Sequence, residues 1–374
     1  MVPSSEFPAQ CRPRSAVATA LLIAAALSLA GCGPEPEAKA VAEVVPAGIA
    51  VPENGAYLGA YIDSGDDEDD ISLEKLLEFE ELAGKKQAIV ASSSYWGQQS
   101  FPSANLRIIS RHGSMPLLFW SPWDKPYEQN KGPDGYSLDA ILDGKWDEYI
   151  DRWADGAREY GRPFFVAWGL EMNGNWFPWS GVFYGANKPI PKSNPARFEG
   201  PEKFKRCYRY VVDRVRQRGA KNILWVFHAN NFSEPFEEWN RLKQYYPGPE
   251  YVDWLAVSAY GKQFPNEAWV DLYDVMEDPY RELCELDPTK PIMLAEFGVG
   301  EFPSTGDKAE WFKEAFESMA HKMPRVKAAV YWHERWQNSD QTYSNLRINS
   351  SPEALEAFRT GVADRYWLER PIWK

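Results

Sequence analysis

From about residue 55 the chain repeats one pattern: a short, nearly unbroken apolar run, a polar loop, then a longer stretch whose apolar residues recur every three or four positions. Runs without polar alternation belong to strands buried on both faces, and the three-four spacing belongs to helices with one apolar stripe. The pattern predicts eight strands, at residues 56–62, 87–92, 115–120, 164–170, 222–227, 252–259, 291–296 and 326–332. A helix over 145–160 carries Trp146, Tyr149, Ile150, Trp153, Ala157 and Tyr160 on one stripe, and a second over 202–218 carries Phe204, Cys207, Tyr208, Val211, Val212 and Val215. Further helices are expected at 308–319 and 353–366, the latter opened by Ser351 as cap and Pro352 at its first position.

Eight strand–helix units in one domain predict an α/β fold, a (β/α)8 TIM barrel. A doubly wound open sheet is the alternative, but no GxGxxG or GxxxxGK[ST] loop supports it. In a barrel, the chemistry sits where the strands end, at the C-terminal mouth.

The N-terminus breaks the pattern. Arg12 and Arg14 precede an apolar run from Ala16 to Ala30, too short to span a bilayer as a mature helix but built like a signal peptide. It ends Leu29-Ala30-Gly31-Cys32, similar to a bacterial lipobox, with an ordinary signal peptide cut near Ala30 as the alternative. The expected organisation is a lipoprotein signal peptide over 1–31, lipidation at Cys32, a flexible Pro- and Glu-rich tether over 32–50 and a catalytic domain over 51–374. Gly33 in place of Asp favours, by resemblance to lipoproteins, anchoring to the outer membrane. The remaining mature thiols are Cys207, expected in the core, and Cys284; neither a CxxC pair nor clustered histidines suggest a metal.

Net charge is −13, which argues against nucleic acid or another polyanion as partner. The composition is unusual in its aromatics, with 17 Trp and 19 Tyr, flat apolar rings with a polar edge that suit sugar faces as well as cores. The run Asp66–Asp70 lacks the spacing and glycine of a calcium loop and reads as a solvated turn.

Two glutamates stand out. Glu171 follows the fourth apolar run in Trp168-Gly169-Leu170-Glu171-Met172-Asn173-Gly174-Asn175-Trp176-Phe177-Pro178-Trp179, and Glu296 ends the seventh in Ala295-Glu296-Phe297-Gly298. Strands four and seven face each other across a narrow barrel. Cleaving a glycosidic bond requires one carboxylic acid to protonate the leaving oxygen and one carboxylate facing the anomeric carbon. A separation of roughly 5–5.5 Å gives retention through a covalent intermediate, and roughly 6.5–9.5 Å gives inversion.

These strings, with Leu346-Arg347-Ile348-Asn349-Ser350-Ser351-Pro352-Glu353-Ala354-Leu355, resemble glycoside hydrolase family 26 over roughly residues 55–366. The resemblance implies a retaining hydrolase with Glu171 as acid/base and Glu296 as nucleophile, no cofactor and no metal. Its expected substrate is β-1,4-mannan, with mixed-linkage β-glucan or another β-glycan as the alternative. Tyr260 is expected to hydrogen-bond the nucleophile and Trp332 to floor the central sugar site. By position, Trp120, Trp123, Asn173, Trp176, Trp179 and His228 are expected to touch substrate, with Asn230, Asn231, His333 and Glu334 nearby.

One departure is plain. The family places His before its acid/base, and here that residue is Leu170. Three explanations stand: another group such as His228 supplies the contact, the substrate differs there, or catalysis is weak. The last connects to a non-enzymatic alternative, a surface glycan-binding lipoprotein. The 177–199 stretch, rich in Pro, Gly, Asn and Lys, is long enough to shape one end of a cleft. The expected partner is a neutral β-linked polysaccharide, with the membrane met only through the lipid and the protein itself a monomer.

Overall fold

The computed structural model describes residues 46–63, 71–125, 132–192 and 196–374. The signal peptide, Cys32, most of the tether and the acidic run at 66–70 lie outside the described residues.

The elements alternate as the pattern predicts. They begin β1 (Ala56–Ile62), α1 (Leu73–Ala83), β2 (Ile89–Tyr95), α2 (Ser103–His112), β3 (Met115–Ser121), α3 (Leu138–Leu142), α4 (Asp147–Tyr160) and β4 (Phe164–Trp168). They continue α5 (Glu199–Gln217), β5 (Ile223–Asn230), β6 (Trp254–Tyr260), α6 (Leu272–Leu286), β7 (Ile292–Gly298), α7 (Lys308–His321) and β8 (Val326–His333). A hairpin of β9 (Arg335–Gln337) and β10 (Tyr343–Asn345), helix α8 (Pro352–Ala363) and the short β11 (Trp367–Leu368) complete the chain. Strands β1 to β8 pair in parallel in chain order, and β8 pairs back onto β1. The sheet is therefore closed, which settles the choice between barrel and open sheet in favour of the barrel.

Local chemistry places the helices. Ser72 caps α1 by accepting from Lys75 N–H, and Gly84 ends it in the left-handed region. Ser351 accepts from Ala354 N–H and Pro352 opens α8. The stripes on α4 and α5 are buried against the barrel. A fully buried Val, Leu or Phe on such a stripe contributes about 1.5–3 kcal/mol.

Two boundaries differ from expectation. Helix α8 stops at Ala363, and Trp367 and Leu368 then pair with β1 as an added strand. The tether is shorter than expected: Ile49 is buried and bridges Trp373, and Ala47 N–H donates to Lys374 O. Cys207 is buried and Cys284 partly so, and both are free thiols.

Candidate active site

Strand parity decides what reaches the mouth, because successive side chains point to opposite faces. On β5 and β6, His228, Asn230, Ser258 and Tyr260 share the inner face. On β7, a one-residue register shift after Leu294 pairs Glu296 with Ser258 and brings it to the same mouth. Glu171 arrives differently. Strand β4 ends at Trp168, Gly169 turns with φ +59°, and Glu171 itself holds φ 52°. A left-handed conformation is uncommon for a residue with a Cβ and costs free energy unless its surroundings hold it.

The surroundings do hold it. Glu171 N–H donates to His228 O at 2.8 Å. Its carboxylate accepts from Trp176 Nε1–H at 2.8 Å and also bonds the side chains of Ser258 and Asn230. The loop behind it is stitched by Asn173, whose amide donates to Asn230 O, Phe232 O and Ser233 Oγ and accepts from Asn230 N–H at 2.8 Å. Across the cavity, Tyr260 O–H donates to Glu296 Oε2 at 2.7 Å.

Glu171, His228 and Glu296 each offer one atom within 4.8 Å of the others. That puts the two carboxylates on the retaining side of the separation rule rather than at the distance that admits an inverting water. Both are 7% exposed. Burial raises the Glu171 pKa, opposed by its bonds to Ser258, Trp176 and Asn230. Glu296 lies well above the usual carboxylate range because of burial, then the Glu171 charge, with a smaller contribution from Glu334. Two like charges so close do not both form readily, so the pair holds one proton between them and titrates as a unit. One acid and one carboxylate side by side is the state glycoside cleavage needs.

The remaining wall is aromatic. Trp332 stacks on Tyr61 at 3.8 Å between centroids and 5° between planes, and its Nε1–H donates to Glu334 Oε2 at 2.6 Å. Phe119 lies between His228 and Trp332, 5.6 and 6.2 Å from their centroids. Trp176, half-buried, approaches the exposed Phe232 at 6.0 Å. Trp123, also half-buried, meets the edges of Phe177 and Trp179.

Several expectations require correction. Trp120 is fully buried on the outer face of β3, stacked on Trp153 of α4 at 3.8 Å with its Nε1–H donated to Tyr149 Oη. It is a core residue, one position out of phase with the mouth. Trp179 is 1% exposed, stacked on Phe177 and bonded to Leu170 O, and so supports the loop from beneath. Asn173 spends its amide on the β5 loop and positions Glu171 instead of meeting a sugar. His333 points outward, accepting from Ile348 N–H at Nδ1 and touching Phe79. His228 is at the centre but 1% exposed, and burial drops its pKa to about 3, so it is neutral. Ser258 was missed; a lone hydroxyl in the buried run Trp254-Leu255-Ala256-Val257-Ser258-Ala259 was the available signal.

A separate groove of about 1350 Å³ runs between α7 and α8 on the outer surface, lined in part by Phe316, Glu317 and Arg365. It shares no residue with the mouth, and strand-end chemistry puts the site at the mouth.

Comparison with known proteins points the same way. Residues 137–321 match the model described as glycosyl hydrolase family 26. The chain is 30% identical over 313 residues to Endoglucanase H of Acetivibrio thermocellus, covering 83% of this chain and 30% of that protein. It is 24% identical over 251 residues to a mannan endo-1,4-beta-mannosidase of Bacillus subtilis, covering 65% of this chain and 58% of the other. The chain thus spans less than two thirds of each of these relatives, and under a third of the first. Among solved structures, the catalytic domain of a GH26 endo-beta-1,4-mannanase from Bacillus sp. JAMB-750 matches with TM-score 0.61 at 18% identity, covering 84% of this chain and 87% of that one. Bacillus subtilis mannanase man26 matches with TM-score 0.56 at 18% identity, covering 86% and 89%. At such identities these structural matches show the barrel fold.

Proposed function

Since this chain belongs to glycosyl hydrolase family 26, we propose that it is a retaining endo-acting β-glycanase whose first substrate is β-1,4-mannan. The observation that carries the reading is the Glu171–Glu296 pair, two buried carboxylates within 4.8 Å of each other in an aromatic-walled mouth.

In the first step Glu296 attacks the anomeric carbon from one face of the sugar while Glu171 gives its proton to the departing glycosidic oxygen. The sugar is then esterified to Glu296, and the aglycone leaves as an alcohol. In the second step Glu171, now a carboxylate, takes a proton from water. The water oxygen attacks the same carbon, and Glu296 departs as a carboxylate with configuration retained. Tyr260 O–H bears on Glu296 throughout and Trp176 N–H on Glu171, so each negative charge meets a donor when it forms.

The endoglucanase match covers more of this chain than the mannosidase match but only 30% of that protein, and a β-glucan is the second substrate reading to test. Reducing-end release from mannan, lichenan, xylan and cellulose separates the two, and product sizing tests endo action. Release from none of them overturns the enzyme reading and leaves glycan binding. The Glu171–His228–Glu296 spacing is also one a divalent ion accepts, so the same assay is run with EDTA, and unchanged rates are expected. For the N-terminus, the proposal is a lipid on Cys32 that tethers a monomer to the outer membrane. Metabolic labelling with a fatty acid, lost in Cys32→Ser, tests it.

A further inference from the structure

The residue before Glu171 is Leu170, 7% exposed and packed in the core, so the turn leaving β4 offers no polar side chain immediately before the carboxylate. The neighbouring strands do. His228 on β5 lies with Nε2 2.7 Å from Ser258 Oγ on β6, and Ser258 in turn bonds Glu171. Both are buried, at 1% and 0% exposure. His228 Nδ1 is buried without a hydrogen-bond partner among the described residues. We propose that His228 and Ser258 form a fixed relay, Nε2–H to Oγ and Oγ–H to the Glu171 carboxylate, which positions the acid/base and supports it when it is charged. This rests on the hydrolase reading above and adds two positioning residues to it.

The tautomer follows from counting protons. Ser258 has a single hydroxyl proton. Given to His228, it would leave Glu171 one donor short and put the imidazole proton on Nδ1, where nothing accepts it. Given to Glu171, it requires His228 to present Nε2–H, and Nδ1 is then a bare lone pair. Orphaned buried N–H groups are rarer and costlier than under-used acceptors, so the second arrangement is preferred. Neutral His228 keeps it intact across the working pH range.

The relay acts on the charged form of Glu171, the form present in the glycosyl-enzyme intermediate. Other groups also bear on this carboxyl. Asn230 of β5 and Trp176 of the β4 loop donate to it, and Glu296 of β7 repels it; Tyr260 and Glu334 act one step away, on Glu296. Loss of the Ser258 hydroxyl removes one donor and leaves the rest. It therefore raises the upper apparent pKa of the pair, and the basic limb of kcat/KM moves to higher pH.

The test compares Ser258→Ala, Ser258→Thr, His228→Gln and His228→Leu on mannan and lichenan, alongside carbon-13 titration of the glutamate carboxyls. Ser258→Ala is expected to lower kcat about 10- to 100-fold, the worth of one hydrogen bond to a charged group, and to shift the basic limb and the Glu171 titration upward. Ser258→Thr keeps the hydroxyl and is expected to restore both. His228→Gln keeps a donor and is expected to exceed His228→Leu. An unmoved basic limb and Glu171 titration in folded Ser258→Ala overturn the relay, even where KM or melting temperature changes. Wild-type protein inactive on the whole glycan panel removes the hydrolase reading instead, a failure the titration distinguishes.

Discussion

The two paired carboxylates, proposed above as nucleophile and acid/base, reach the same cavity by different means. Glu296 sits inside β7, just past a one-residue register shift that pairs it with Ser258 of β6, so the strand backbone carries it. Glu171 lies three residues past the end of β4, at φ 52°, and is held by side chains: Trp176, Asn230 and Ser258 on its carboxylate, Asn173 on the loop behind. A nucleophile must meet carbon at one distance, and a strand gives that rigidity. An acid/base must serve two different oxygens in two steps, and a loop with several hydrogen-bond donors suits that. The prediction from this contrast is that substitutions in the supporting side chains damage the Glu171 function and spare the Glu296 function.

The largest effects test the roles directly. Glu296→Gln is expected to abolish turnover whatever the leaving group, because no glycosyl-enzyme forms. Glu171→Gln is expected to cost ~10²–10⁴-fold on a natural glycan, the usual worth of a general acid. On an aryl glycoside with an acidic phenol the first step needs no proton, so an initial burst of phenol followed by slow turnover is expected from Glu171→Gln alone. Bursts in both variants, or in neither, would break the assignment.

Next in size is Asn173→Ala. Its removal leaves Asn230 N–H and the carbonyls of Asn230 and Phe232 without their side-chain partner in a buried loop. A destabilisation of about 2–4 kcal/mol is expected by denaturant melting. Displacement of Glu171 is expected to lower kcat on glycans by tenfold or more, since an ångström of misplacement costs up to about a hundredfold. The burst rate on the activated aryl glycoside reports Glu296 and is expected to stay near wild type. An equal fall in both rates would show that the loop supports the whole mouth, and the contrast would fail.

How much of this was legible in the sequence depends on the same distinction. Periodicity located all eight strands, since buried parallel strands are continuous apolar runs, and Glu296 was visible because it interrupts one. The strand-four string pointed to Glu171. Parity was harder to see. Phe119, Trp120 and Ser121 are equally apolar or small on paper, and only the register shows Phe119 facing inward and Trp120 packed against α4. The uses of Asn173 and Ser258 were hidden for another reason. Their partners, Asn230 and Glu171 or His228, come from other strands, and hydrogen bonds between elements leave no period along the chain.

The smallest effect probes the strand side of the contrast through charge alone. Glu334 follows β8, accepts from Trp332 Nε1–H, and adds to the upward push on Glu296. Its own pKa is raised by burial, with Asp63 in the same direction and Trp332 and Arg347 opposing. Glu334→Gln keeps an oxygen for Trp332 but removes the negative charge. Ionised Glu296 is then less disfavoured, so its pKa falls. The acid limb of kcat/KM follows the lower apparent pKa of the pair and is expected to move to lower pH, by more than the basic limb moves. The same change bears on folding. A carboxyl whose folded pKa lies above its unfolded value contributes stability below the unfolded pKa and loses it as pH rises through the folded one. Lowering the Glu296 value should therefore narrow that loss, and the variant's melting temperature is expected to fall less than wild type's between pH 5 and pH 8. An acid limb that stays put while the basic limb moves would assign the Glu334 field to Glu171, and the strand-held carboxylate would no longer be the one tuned from β8.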